Sequence, residues 1–407
     1  MIQHRQASST KRIPLLEAQN GIVLSWMQHP RLTQHNIGFA HRFGKTVDVH
    51  RLHDAMLLTA ERHDTFKTRI AHTEEGFCQY IDSSITFDVK VSTMADAEYV
   101  AYQHTFVRPF DMLNDVLIRM EIVETESAVY AMVDMAHCIA DGYTMARFWD
   151  EVDATYQGKH PETDDHLELA IEREQASFGS AEYKEACQHC RQTLAGLEIT
   201  QIPTTSPHAI GSIQELASVI SQQQVDTFCR QQNLTPSMLF LIANAIALSA
   251  FCHESKIVID ALYHGRQDKD TAQTMGMFVK NIIVLFDFEQ HASATVNELA
   301  AIIQQQFHIQ HKGIYPFTHL ARDLELNTSS NNTFSFQNWY KPVTINGETA
   351  ETEYLKDGGT DDSTMLLIYP ATDQYRVTVY YNDARYQEWL IRQYAESIVD
   401  IVLNIIN

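Results

Sequence analysis

Cysteine is scarce in this sequence, and none of it falls at a framework spacing. Cys78, Cys138, Cys187, Cys190, Cys229 and Cys252 are the 6 in 407 residues. A disulfide scaffold is therefore excluded, and stability must come from a buried core. Basic residues are also few: 30 Lys and Arg stand against 52 Asp and Glu, a formal charge of −22. Such a surface repels phosphate backbones and anionic lipid headgroups, so neither nucleic acid nor a membrane is expected as a partner. Long apolar runs are missing as well. The longest, Met238 to Cys252, is broken by Asn244; it falls short of the roughly 18 residues a spanning helix needs and reads as a buried helix. Met1 to Ile13 is polar and lacks the apolar heart of a secretion signal, which makes a cytoplasmic setting the expectation. There is no Walker-type phosphate loop, no Gly-x-Gly-x-x-Gly and no Gly-x-Ser-x-Gly, so nucleotide and serine-hydrolase chemistry are unsupported.

What remains is an ordinary globular composition, 44% apolar and 20% charged, long enough for one large domain or two lobes. Both halves mix helices and strands. Val49 to Ala60 carries Leu52, Ala55, Met56 and Ala60 at helical spacing, and Phe66 to Ile70 reads as a strand. Leu117 to Val123 and Ala128 to Met135 read as paired strands around a Glu124–Ser127 turn. From Asp141 the pattern turns helical, with Met145, Phe148, Trp149 and Val152 on one face. Gly158 to Glu168, acidic and holding Pro161, reads as a linker. Beyond it, helices are expected at Gln224 to Gln232, from a Thr235-Pro236 start to Phe251, around Val296 to Ile309, and from Glu388. Strands are expected at Ile257 to Leu262, Ile282 to Phe288, Thr333 to Phe336, Met365 to Tyr369 and Arg376 to Tyr381. This alternation predicts an α/β (α+β) protein of two lobes, 1–160 and 161–407.

One segment stands out chemically: Ala136-His137-Cys138-Ile139-Ala140-Asp141-Gly142, between an apolar strand and a helix. Such a junction holds side chains rigidly while letting them face a cleft. An imidazole ordinarily titrates near about 6.5 and suits proton removal from an ammonium or hydroxyl. Asp141 is close enough to orient the turn or pair with a cation, and Gly142 permits a tight backbone. The plainer reading is a histidine that packs at a strand end and bonds the backbone. A Cys138–His137 nucleophile pair is disfavoured, because neighbours on an extended strand face opposite ways.

His137-x-x-x-Asp141-Gly142 resembles the His-His-x-x-x-Asp-Gly signature of nonribosomal peptide synthetase condensation domains, relatives of chloramphenicol acetyltransferase. Other segments fall in family order from about residue 13 to the carboxyl end. Pro14 to Ile22, around Ala18-Gln19, resembles the opening motif, and Glu61-Arg62-His63-Asp64-Thr65-Phe66-Lys67-Thr68-Arg69 resembles the Arg-His-Glu-x-Leu-Arg-Thr motif. Gly265-Arg266 followed by Met275 to Asn281 resembles the Gly-x-Phe-Val-Asn segment. Tyr315-Pro316-Phe317 and Phe334-Ser335-Phe336-Gln337-Asn338 match two later elements. The resemblance implies two chloramphenicol-acetyltransferase-like lobes arranged as a V-shaped pseudo-dimer. It implies His137 as catalytic residue near the lobe interface, in a channel open at both ends. Asp141 and Gly142 are its structural support, Arg62 is the arginine expected to pair with Asp141, and Gln337 and Asn338 face the substrate channel. Departures are Ala136 in place of the first histidine, Lys280 inserted before Asn281, and no Arg-Asn-Pro element after Asn338.

The activity implied is amide formation between a carrier-bound acyl or aminoacyl thioester and an amine, in nonribosomal peptide, antibiotic or related secondary-metabolite synthesis. No permanent cofactor or metal is expected; a phosphopantetheine arm would bring the substrate. With neither an adenylating nor a carrier module in the sequence, an acyl- or peptidyl-carrier protein is expected in trans, with an amine or aminoacyl acceptor, to a monomer. The rivals are a coenzyme A- or carrier-dependent ester-forming acyltransferase and a catalytically silent carrier-binding scaffold. Three features are set aside. Cys187-Gln188-His189-Cys190 has the spacing of half a zinc site but lies on a helical pattern. Gly358 to Ser363 only superficially resembles a carrier serine loop. His50, His53, His63, His308 and His311 fit helical spacing better than a metal.

Overall fold

The structure, a computed structural model, describes residues 11–163, 166–204, 206–266, 268–313, 315–325, 331–338, 340–355, 359–360 and 364–407. Contacts divide the chain into two units. The first comprises Met1–Arg173, Arg266–Phe278 and Pro342–Gly358; the second comprises Glu174–Gly265, Val279–Lys341 and Gly359–Asn407. A single cut at residue 160 does not describe this. Two later segments belong to the first unit, and the acidic stretch read as a linker runs into a helix, Leu167–Ser177, with Leu167 and Ile171 buried.

The first unit is built on a five-stranded sheet in the order Glu351–Tyr354, Asn36–Phe43, Val129–Ala136, Ile118–Glu124 and Val89–Thr93. The expected hairpin is present, with Met120 opposite Val133. Val129–Ala136 is buried almost throughout, as a central strand demands. Asp48 caps the helix Val49–Arg62, its carboxylate accepting the Arg51 N–H at 3.0 Å, and the helix buries Leu52, Ala55, Met56 and Ala60 as the spacing predicts. The strand expected at Phe66 to Ile70 begins later, at Thr68–Thr73. Phe66 instead lies in a 3-10 turn, Asp64–Lys67, where its ring fills the core against Phe148.

Asn36–Phe43 gives little sequence signal, because Gly38, His41 and Arg42 break its apolar pattern. It is nevertheless an inner strand. Gly38 is required there: a Cβ would sit 2.4 Å from Val107. His41 is buried with Trp149 edge-on at 4.6 Å and Nδ1 2.9 Å from Thr352 Oγ1; burial pushes its imidazole down to about 3, so it is neutral.

The second unit holds a six-stranded sheet in the order Lys280–Asp287, Lys256–Tyr263, Thr333–Phe336, Thr364–Ala371, Gln374–Asn382 and Ile213–Ser221. The helix Pro236–Cys252 starts as expected, with Thr235 Oγ1 accepting the Met238 N–H at 3.2 Å and Pro236 in the first turn. Leu239, Phe240, Leu241 and Ile242 are all buried, which explains an apolar run without a polar face. Asn244, which interrupts the run, is buried and accepts the Tyr394 hydroxyl. No single helix among the described residues is long and apolar enough to cross a membrane. The edge strand Lys280–Asp287 is closed by two glutamines from the helix Val296–Gly313. Gln310 donates to Ile283 O and accepts its N–H, at 2.7 and 3.1 Å, and Gln306 does the same at Leu285, both at 2.9 Å. These amides satisfy backbone groups that would otherwise offer another chain a place to pair.

Both sheets carry a buried aspartate straddled by an asparagine amide. In the first unit Asn36 Nδ2 donates to both oxygens of Asp134, at 3.0 and 2.9 Å, and Arg119 adds a cation at 2.9 Å. In the second, Asn281 Nδ2 donates to both oxygens of Asp260, at 2.8 and 2.9 Å, with no cationic partner among the described residues. Burial raises the Asp260 carboxyl to about 6, against the lowering by Asn281 and Thr333. A carboxyl raised on folding holds its proton more tightly in the folded chain, so its contribution is present at low pH and lost as pH rises through about 4 to 6. Asp260→Asn is therefore expected to stabilise the protein by about 1–3 kcal/mol near neutral pH and by nothing measurable near pH 4, read by denaturant unfolding at the two values.

Candidate active site

The strand Val129–Ala136 ends at a tight turn that leads into the helix Gly142–Tyr156. The His137 N–H donates to His35 O at 2.8 Å, and the Ile139 N–H to Ala136 O at 3.0 Å. Residues 136 and 138–141 are fully buried, whereas the His137 ring is only half-buried. Its Nδ1 lies 2.8 Å from Ala140 O. A carbonyl oxygen only accepts, so Nδ1 carries the proton, and in the neutral ring the lone pair is then on Nε2. The turn thus presents one basic nitrogen and seals everything around it.

Segments far apart in sequence hold this turn. Gln19 Nε2 donates to Cys138 O at 2.9 Å, and Gln79 Nε2 reaches back to Gln19 Oε1 at 2.7 Å. Thr65 Oγ1 donates to Ile139 O at 2.6 Å. The Ala18-Gln19 and Arg62–Arg69 segments therefore meet at the two carbonyls that follow His137. Cys138 itself is fully buried, and burial pushes its thiol up to about 12. It supplies a backbone acceptor and no nucleophile.

Asp141 caps the helix, with Oδ1 accepting the Thr144 N–H at 2.9 Å. Its cationic partner is Arg266, not the expected Arg62. Arg266 Nη1 donates to Oδ2 at 2.7 Å and Nη2 to Oδ1 at 3.1 Å, a two-pronged pair in which both side chains are buried. The Phe278 N–H also donates to Oδ2, at 3.1 Å. The guanidinium lies over the Tyr143 and Phe278 rings, 4.3 and 4.7 Å from their centroids, and donates to Thr274 O and Gly276 O. Thr144 Oγ1 accepts the Gly276 N–H at 2.9 Å, fastening the same segment. These contacts from Asp141 hold Arg266–Phe278 against the junction.

Arg62 is the last residue of its helix and meets the helix Gly142–Tyr156 at Glu151, 3.1 Å away, ten residues or about 15 Å beyond Asp141. Glu151 is shared with His63 Nε2 at 2.8 Å and Arg147 Nε at 3.2 Å. Burial raises its carboxyl, but His63, Arg147 and Arg62 together hold it below the usual range. Gln337 and Asn338 lie in the second unit, just past the strand Thr333–Phe336. The Gln337 N–H bonds Ile368 O at 2.8 Å; Gln337 is half-buried and Asn338 exposed. Lys280, the inserted residue, pairs with Glu174 at 2.9 Å and leaves Asn281 on Asp260. Cys187 and Cys190 lie on the helix Ala181–Leu194, where burial pushes the Cys190 thiol up to about 12. Gly358 and 361–363 of the serine-like loop lie outside the described residues, as does most of the polar amino-terminal segment.

Two residues beside His137 carried no motif signal. The register sets Asn36 opposite Ala136, so His35 stands opposite His137 on the same face. His35 Nε2 lies 2.8 Å from Ser25 Oγ on the helix Glu17–Gln28. Only strand register could have revealed this, and the strand starting at Asn36 was the one without a pattern.

A family model described as Condensation domain matches residues 9–407. Bacitracin synthase 1 of Bacillus licheniformis is 22% identical over 419 residues, covering 98% of this chain and 8% of the synthase. Tyrocidine synthase 2 of Brevibacillus parabrevis is 25% identical over 252 residues, covering 58% of this chain and 7% of the synthase. The chain thus spans less than about a tenth of either relative. Two solved structures share the fold. The first condensation domain of the calcium-dependent antibiotic synthetase, in complex with a substrate analogue, has a TM-score of 0.81 at 14% identity and 98% coverage of both chains. The starter condensation domain of rhizomide synthetase, as a mutant in a product-released conformation, has 0.82 at 16% identity, covering 97% of this chain and 96% of that one.

Removing one partner of a buried ion pair strands the other. Asp141→Ala and Arg266→Ala are each expected to lose about 3–5 kcal/mol in denaturant unfolding. Arg62→Ala, at a partly exposed pair, should lose about 1–2 kcal/mol, on the scale of a lost hydrogen bond to a charged group. Losses in the reverse order would contradict this assignment.

Proposed function

The chain belongs to the condensation-domain family, and on that premise we propose that it transfers an acyl or aminoacyl group from a carrier-bound thioester to an amine. The observation that carries this reading is the His137 ring, half-buried in a sealed turn with its Nδ1 held on Ala140 O. A phosphopantetheine arm on a carrier protein supplied in trans would present the thioester. An acceptor ammonium gives a proton to His137 Nε2, and the freed amine attacks the carbonyl carbon. Negative charge then builds on the carbonyl oxygen. Gly142 is the first residue of its helix, and backbone donors beside it, ahead of the Thr144 N–H that Asp141 takes, suit that oxygen. The C–S bond breaks as the C–N bond is completed, and the sulfur leaves with a proton.

Asp141 and Arg266 act through the turn: they fix where His137 stands. On the family resemblance, Gln337 and Asn338 are assigned to substrate contact. An acidic surface meeting an acidic carrier requires a local basic patch on this chain, since the net charge is −22.

His137→Ala is expected to lower amide formation by about 10²–10⁴-fold with an unchanged unfolding midpoint. The assay is product mass spectrometry with an acyl-loaded carrier and candidate amines. A chain that binds carrier equally well with and without the imidazole, and forms no product in either form, is a scaffold. Turnover with acyl-coenzyme A and no carrier would instead favour ester or amide formation from the free thioester.

A further inference from the structure

Amide formation from an ammonium leaves a proton over. The nitrogen enters with three hydrogens and ends with one. Of the two protons released, one goes to the departing sulfur and the other must leave the site. A hydroxyl acceptor poses no such problem, because its single proton matches the single thiol formed. His137 has one free nitrogen, so after the first proton transfer it holds the surplus proton and must discharge it before the next cycle.

The structure places a second imidazole where that discharge is needed. His35 lies directly across the antiparallel ladder from His137, bound to it through the His137 N–H at 2.8 Å. Side chains opposed in this way start about 4.5–5.5 Å apart at Cβ, and the two rings are near enough for His137 to act electrostatically on His35. From His35 the path continues outward: Nε2 is 2.8 Å from Ser25 Oγ, and the Gln34 amide lies 3.4 Å from the same nitrogen. Ser25 is half-buried on the helix Glu17–Gln28, beside Leu24, which is 50% exposed.

We propose that His35 and Ser25 relay the surplus proton from His137 to solvent, a role that rests on the amide-forming reading above. His35 accepts at one ring nitrogen and releases from Nε2 to the Ser25 hydroxyl, which passes its own proton outward. Burial, and secondly the neighbouring His137, hold the His35 imidazole down at about 3, so it rests neutral, with one ring nitrogen able to accept and the other to donate. Few other charges bear on it. Asp134 pairs with Arg119 and accepts from the Asn36 amide on the opposite face of the sheet. Glu17 stands eight residues before Ser25 on its helix, and His29 and Arg31 lie in the connection that follows.

The test compares the wild-type chain with His35→Ala, Ser25→Ala and Ser25→Thr, using a loaded carrier and an aminoacyl acceptor. The pH runs from about 6.5 to about 9, across the range where an α-amino group titrates. Both alanine variants should be slower by on the order of tenfold or more at the lower pH, where the acceptor arrives as an ammonium. The defect should shrink toward none at the higher pH, and added imidazole buffer should restore the low-pH rate. Ser25→Thr keeps the hydroxyl and should keep the rate, and Ser25→Ala carries the test should His35→Ala fail to fold. A defect constant with pH, or one that buffer does not relieve, would mean that the two side chains only pack, and would overturn the relay. A wild-type chain that forms no amide contradicts the condensation reading itself, and the relay with it.

Discussion

A buried carboxylate cannot stand alone, and Asp141 is where this chain meets that constraint. Its two oxygens receive both prongs of Arg266, the Phe278 N–H and the Thr144 N–H, all within 3.1 Å. One residue therefore caps a helix, neutralises an arginine and ties down a distant loop. The desolvation cost of the pair is offset only because every lone pair is used, which makes the arrangement all-or-none. It also explains why Arg266–Phe278 belongs to the first unit although its neighbours in sequence do not.

The chemistry of the site follows from that fixed junction. With Asp141 pinned, Ala140 O is placed to accept from His137 Nδ1, and the tautomer is decided by the backbone rather than by an acidic side chain. This differs from arrangements in which a carboxylate orients a catalytic imidazole. Asp141 lies four residues from His137 yet does not touch its ring: the proximity is sequential, and the coupling runs through the turn. The carbonyls of Cys138 and Ile139 are held in the same spirit, by Gln19 and Thr65.

Much of this was legible in the sequence, for identifiable reasons. The elements with clean periodicity, such as Val49–Arg62, Pro236–Cys252 and the hairpin before His137, formed as expected because burial and spacing agreed. His137, Asp141 and Gly142 lie together at one strand-to-helix junction for the same reason. Arg62 was assigned to Asp141 by motif order, but a side chain reaches only what its helix faces, and that is Glu151. Asn36–Phe43 was illegible because an inner strand can hide a glycine and a neutral histidine that a pattern reads as polar. His35, opposite His137, was lost with it.

The account stands or falls on which nitrogen His137 offers. Imidazole nitrogen NMR of the wild-type protein should show His137 protonated at Nδ1 and bare at Nε2, with that preference weakened in Arg266→Lys, which keeps the charge but loses the fork. A major tautomer with the proton on Nε2, or a spectrum indifferent to Arg266, would contradict it.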